Sequence, residues 1–198
     1  MVFTDFKLLD QVQTAYRIKY LEEDFINLVS LSPPEQFILE YEFSKNNFDI
    51  FSSEASRCEN VIYPLLREAC KRFVQRCSLW SHQAISADNL LTGTPDYIVG
   101  KRSELGKNVL EFPLILIAEA KQNDFVQGWA QCLAEMVAAQ KLNGNENLVV
   151  YGIVTDAELW QFGKLEGPLF TKNHARATID NLNTVFGSVS LLLELASN

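Results

Sequence analysis

The sequence predicts a mixed α/β fold in which a central sheet is flanked by helices. Three observations predict it. The run Leu114-Ile115-Leu116-Ile117-Ala118 is almost continuously apolar, as suits a central strand covered on both faces. Two segments with apolar residues at helical spacing bracket that run, one through Ile62, Leu66, Ala69 and Phe73, the other through Phe125, Trp129, Leu133 and Met136. A second apolar run, Leu148 to Val154, follows the later helix. The resulting order is helix, three strands, helix, two strands, helix, which packs as a sheet between helical layers.

Each element has its own signal. Leu9, Val12 and Tyr16 fit a helix, whereas Tyr16, Ile18 and Tyr20 alternate like a strand, so residues 1–31 carry both periods. Ser32-Pro33-Pro34-Glu35 predicts a helix start: Ser32 as cap, proline in the first turn, Glu35 reaching back, and the helix running to about Phe43. Residues 1–50 read as an N-terminal extension packed on a core of residues 51–198. Ser52-Ser53-Glu54 opens a long helical pattern to about Arg76, which Pro64 breaks or kinks near residues 60–63. Arg67, Lys71, Arg72 and Arg76 make this the densest basic region, most simply a solvated helix face, with a phosphate contact as the alternative.

Leu79 to Ile85 and Leu90 to about Lys101 follow as strands, the second interrupted by Gly93 and Pro95. Proline inside a strand belongs at an edge or bulge, and the bend exposes Asp96 at the rim of the sheet. Val109 to Lys121 is the third strand. Asn123 or Asp124 caps the next helix, which runs to about Leu142 and stops at Asn143-Gly144. Leu148–Val154 and Leu159–Phe162 form the last pair of strands, and Ala177–Ala196 reads as a closing helix through Ile179, Leu182, Val185 and Phe186.

At 198 residues and 47% apolar composition the chain can bury a sizeable core. No apolar run is long enough to span a bilayer, and no membrane association is expected. The N-terminus has Asp5 and no cationic–apolar–small pattern, so the cytoplasm is the expected compartment. Cys58, Cys70, Cys77 and Cys132 read as buried thiols; Cys70, Cys77 and His82 match no compact zinc spacing. The net charge of −8 argues against a general nucleic-acid binder, but it is uneven. Nine acids against four bases give −5 for residues 1–50, and sixteen against thirteen give −3 for the remainder, and local patches govern binding more than the total does.

The chemistry concentrates between Thr92 and Gln131. Glu119 and Lys121 stand two apart on a strand and share a face with Ile115 and Ile117, where charge is expensive unless the two serve each other or a metal. Asp96 lies 23 residues before Glu119, room for two strands and a turn. Two carboxylates and a backbone carbonyl can hold Mg2+, with waters completing the octahedron. Gln127, Gln131 and Glu135 form an i, i+4, i+8 stripe that either faces this site or is a polar helix face. Glu59 sits at the edge of the first apolar stripe and requires a partner, a metal or water. There is no Gly-rich phosphate loop and no serine nucleophile elbow, and His82 and His174 have no partner at a telling spacing.

Pro95-Asp96, the apolar strand ending Glu119-Ala120-Lys121 and the following Gln-bearing helix resemble the PD-(D/E)XK nuclease superfamily, the restriction-endonuclease-like fold, over roughly Ser53 to Phe162. The resemblance implies an αβββαβ core and Mg2+- or Mn2+-dependent hydrolysis of phosphodiesters, most simply in DNA. It implies Asp96 and Glu119 as metal ligands, the Ala120 carbonyl as a further ligand, and Lys121 as the group that positions water or stabilises charge. Some members add a carboxylate from the first core helix, for which Glu59 is the choice and Glu54 and Glu68 the rivals. In the RecB-like branch a Gln on the later helix, matched by Gln131, is followed four residues on by a Tyr, where this chain has Glu135. Such folds commonly pair to reach both strands, so a homodimer is one assembly compatible with the resemblance. The alternative expectation is a nuclease-fold module without catalysis that binds nucleic acid or another protein.

Overall fold

A computed structural model describes residues 2–198 of the protein. Its elements are α1 (Leu9–Tyr16), β1 (Lys19–Glu22), α2 (Glu35–Asn47), α3 (Glu54–Arg57), α4 (Tyr63–Lys71), β2 (Cys77–Ser81), β3 (Ile85–Ser86), β4 (Thr92–Gly93), β5 (Tyr97–Lys101) and β6 (Glu111–Ala120). They continue with α5 (Phe125–Asn143), β7 (Val150–Thr155), β8 (Leu159–Glu166), β9 (Leu169–Lys172), β10 (Ala177–Thr178) and α6 (Leu182–Ser197). The main sheet runs β1-β9-β8-β7-β6-β5-β2, with β10 paired to β8, and β3 and β4 form a separate small hairpin. The expected mixed α/β sheet between helices is the architecture observed.

Strand β6 lies inside the sheet because its run Leu114–Ala120 is buried throughout. It pairs antiparallel with β5 and parallel with β7, and α5 supplies the crossover between the parallel strands. One face packs Leu116, Ala118 and Ile153 against Leu65 and Leu66 of α4 and Phe186 and Leu192 of α6. The other packs Ile98, Ile117 and Val154 against Trp129 and Leu133 of α5 and Val12 of α1. Each such aliphatic side chain contributes about 1.5–3 kcal/mol by leaving water.

Several local expectations change. A register shift between Val99 and Gly100 leaves Ile115 without its own partner on β5. This bulge turns Ile115 to the α4–α6 side, so Leu114 rather than Ile115 shares the α5 side with Ile117. Gly93 and Pro95 do more than bend the predicted strand: they separate β4 from β5 and leave Asp96 just before β5. Ile85 leaves the preceding strand to join the small hairpin. Ser32 does not cap α2, since its hydroxyl donates to the Pro33 carbonyl; Pro34 occupies the N-cap, and the helix runs on to Asn47, whose side chain donates to the Phe43 carbonyl. The closing helix starts at Leu182, because Ala177 and Thr178 pair with β8 first.

Both periods seen near the N-terminus are used in turn. Leu9–Tyr16 is helical, Arg17 takes a left-handed conformation (φ 55°), and Lys19–Glu22 pairs in parallel with β9 at the edge of the main sheet. The first fifty residues thus add an edge strand and, through Phe3, Phe6 and Val12, part of the core beneath α5.

The helical pattern that begins at Ser53 resolves the Pro64 problem without a break. Ser53 caps α3 by accepting from the Ser56 N–H, Cys58–Ile62 form a π-helical segment, and Pro64 enters in the first turn of α4. The wider register preceding proline accommodates its ring and its missing N–H. Buried Arg57 ties this helix to the β7–β8 turn by donating to the Asp156 carbonyl and pairing with Glu158 at 3.0 Å.

Candidate functional site

The site forms at one end of the sheet, where β6 and β7 finish and β5 begins. Tyr97 pairs with Ala118, which sets Asp96 opposite the last residues of β6. The Ala120 N–H donates to Asp96 Oδ2 at 2.8 Å. Lys121 lies immediately past the strand, its own N–H fixed to the Thr155 carbonyl at 2.9 Å. Its Nζ meets Glu119 Oε1 at 2.9 Å, as expected for side chains two apart on one face. Asp96, Glu119, Ala120 and Lys121 are therefore brought together by the pairing of β5, β6 and β7 and by the Asp96 carboxylate on the Ala120 N–H.

Glu119 is almost fully buried, and its Oε2 has no hydrogen-bond partner among the described residues. It faces Glu135 of α5, which is also buried and also has an unpartnered Oε2. Burial first, and then the negative charge of Asp96, push the Glu119 carboxyl up to about 7; Lys121 opposes this without cancelling it. Burial and the same two acids raise Glu135 well above the usual carboxylate range. Asp96 is raised too, chiefly by burial, although the Ala120 N–H, Lys121 and His82 work in the other direction. Burial opposes the charge on Lys121, but Glu119, Asp96 and Glu54 together raise its affinity for a proton. One lysine thus faces several carboxylates, and the site is short of positive charge.

The other predicted residues fall in different places. Glu54, named as a rival, lies by the site: its Oε2 accepts from the Gln122 N–H at 3.2 Å, and its charge acts on both Asp96 and Lys121. Glu59 is exposed further out, on a cleft of about 510 Å³ that it lines with Glu54, Tyr63, His82, Asp96 and Tyr97. Glu68 points elsewhere and pairs with Lys71 at 2.6 Å. Gln131 is buried on α5 and its Oε1 accepts from Gln127 Nε2 at 3.5 Å, so the Gln127–Gln131–Glu135 stripe does turn inward, with Glu135 as the member that meets Glu119.

Two features had no clear sequence signal. His82 adopts a left-handed backbone (φ 50°), donates its N–H to the Asp96 carbonyl at 2.8 Å and brings Nε2 to 3.6 Å from Asp96 Oδ1. A lone histidine 14 residues from its partner is invisible to spacing arguments. Tyr63 stacks on Tyr97 with ring centroids 6.1 Å apart, forming an aromatic wall of the cleft.

Among the described residues no group of three or more His, Cys, Asp or Glu side chains is placed to hold a metal ion. Magnesium seldom uses such a cage; it is bound by one or two carboxylates and completes its octahedron with water and substrate phosphate. Asp96 and Glu119 are donors of that kind, and the Glu119 Oε2, which has no partner among the described residues, lies against the raised Glu135 carboxyl. No helix among the described residues is long and apolar enough to cross a membrane. No protein-family model and no curated protein matches the sequence.

Proposed function

We propose that the protein is a Mg2+- or Mn2+-dependent nuclease that hydrolyses phosphodiester bonds, with DNA as the first substrate to test. The observation that carries this reading is the junction of Asp96, Glu119 and Lys121 at one end of β6, tied by the bond from the Ala120 N–H to Asp96. In this reading Asp96 and Glu119, with the Ala120 carbonyl, hold the ion. Bound there, it would acidify a water and neutralise charge on the scissile phosphate. Lys121, held by Glu119, orients that water or donates to the developing phosphorane oxygens. Glu54 adds negative charge beside Asp96, and His82 steadies the outer oxygen of Asp96.

One observation favours a second reading, a nuclease-fold module without catalysis. Glu119 holds Lys121 through Oε1 and interacts with the buried Glu135 of α5, which is the arrangement of a structural ion pair. A single experiment separates the two. Purified protein is incubated with single-stranded, duplex and branched DNA and with RNA, in MgCl2 or MnCl2, beside Asp96→Ala and Lys121→Ala. The nuclease reading expects metal-dependent cleavage that falls about 100-fold or more in either variant. Absence of cleavage on every substrate, with folded protein, sinks it in favour of the non-catalytic module.

A further inference from the structure

A second groove continues the candidate cleft. Tyr63 lines both: on one side it borders Asp96 and His82, on the other it opens onto a groove of about 280 Å³ between α4 and β2. Strand β2 is the last of the sheet, so this groove runs along an edge. Arg67, Lys71, Arg102 and Lys107 line it, and no carboxylate lines it among the described residues; Lys71 is paired with Glu68 outside the lining, which leaves Arg67, Arg102 and Lys107 without a salt bridge among the described residues. In a chain of net charge −8 that segregation is pronounced. One ring stands among the cations: Tyr63, which is 37% exposed and has the Arg67 guanidinium 6.0 Å from its centroid. Trp80 borders the groove at the edge of β2, but its ring packs on the α5 side of the sheet.

We infer that this groove binds a single-stranded polynucleotide and leads it past Tyr63 to Asp96 and Glu119. The inference rests on the nuclease reading of that site and names its substrate class. Cations spaced along a groove track a phosphate backbone, and an exposed aromatic face stacks on an unpaired base without regard to sequence. A duplex presents its bases already stacked, so Tyr63 would meet only its sugar–phosphate exterior. The acids of the cleft repel a strand that arrives without a cation, whereas the adjacent groove attracts it. The basic side of α4, which in sequence reads most simply as solvated charge, acquires neighbours once the segment after β5 brings Arg102 and Lys107 alongside it.

The test uses the full chain in EDTA, where metal-dependent cleavage is silent. Fluorescence anisotropy follows binding of labelled oligothymidylate, oligouridylate and a DNA duplex across a salt series. Single strands are expected to bind at least about tenfold more tightly than duplex. The double variant Arg67→Glu/Lys107→Glu, both positions exposed, should weaken single-strand binding about tenfold and reduce the log–log salt slope by about 1.4. Tyr63→Leu should cost about tenfold with the salt slope unchanged. Equal affinity for duplex, or unchanged binding in the folded double variant, overturns the groove. The two readings fail separately. Retained groove binding with no cleavage of any substrate overturns only the nuclease, and cleavage that the double variant leaves unchanged overturns only the groove.

Discussion

Two neighbouring hollows of this molecule are built from opposite charges. The end of β6 gathers Asp96, Glu119, Glu135 and Glu54 around Lys121, and much of that charge is buried. The groove beyond Tyr63 gathers Arg67, Lys71, Arg102 and Lys107 at the surface. A buried carboxylate without a counter-ion is costly, so the first arrangement persists because the sheet fixes Asp96 and Glu119 and because burial raises the carboxyls of Glu119 and Glu135, which reduces their charge. The second is inexpensive, since exposed cations remain hydrated. The lesson is that net charge is a poor guide to this chain: it averages a cation-poor interior with an acid-free groove.

The largest expected difference lies between two carboxylates of the same helical segment. Glu54 reaches the Gln122 N–H and acts on Asp96 and Lys121, whereas Glu59 stands on the outer cleft. Glu54→Gln should lower cleavage about 10–100-fold, as loss of a supporting group around a metal does. Glu59→Gln, at an exposed position, should leave stability within about 0.5 kcal/mol and cleavage nearly unchanged. Initial rates on the best substrate decide between them, and a larger loss at Glu59 would move the site outward along the cleft.

The acidic end also predicts how stability responds to pH and metal. The folded Glu119 carboxyl titrates at about 7 against an ordinary 4.5. Its stabilising contribution is therefore complete below about pH 4.5 and is lost as pH rises through about 7. The thermal midpoint of metal-free protein should fall across that window, and Glu119→Gln should remove the Glu119 share of the fall and leave that of the raised Asp96 and Glu135 carboxyls. At about pH 8, saturating MgCl2 should restore stability to the wild type, by about 2.7 kcal/mol at a hundredfold excess over Kd, and not to Asp96→Ala. Differential scanning fluorimetry reads both effects. Arg67→Glu/Lys107→Glu should follow the wild-type pH profile, because neither cation touches the titrating acids.

Much of the acidic end is legible in the sequence, and the groove is not. The apolar run of β6 fixes a central strand, two-residue spacing places Glu119 beside Lys121, and Asp124 caps α5 as its position suggests, accepting from the Gln127 N–H. These are local signals. Ile115 changes face through a bulge set by pairing with β5, and the role of Glu54 depends on Arg57 anchoring α3 to a turn a hundred residues away; neither is local. Strand β9 is missed for a related reason, being short and dependent on partners outside its own stretch. The alternation of Tyr16, Ile18 and Tyr20 does point to a strand, but β1 is exposed along its length, so only its parallel partner fixes its bounds. The groove needs residues from α4, β2 and the segment after β5, each an ordinary basic or aromatic residue in its own stretch.

The smallest expected effect sharpens the comparison at the back of the acidic end. Gly128 lies in the first half of α5, where helix propensity alone would favour alanine by about 1 kcal/mol. A Cβ built there would stand 2.7 Å from Val154 Cγ1 and 3.1 Å from Lys121 Cγ. The glycine thus lets α5 close on β7 and on the stem of the lysine that faces Glu119. Gly128→Ala should push that stem aside, with a net loss of about 1–3 kcal/mol from overpacking despite the better propensity. Its sharper signature is functional. Cleavage should drop with Lys121 displaced, while single-strand binding in EDTA, which depends on Arg67, Lys107 and Tyr63, should be unchanged. Equal losses of binding and cleavage would mean that the two hollows are coupled through α5 rather than joined only at Tyr63.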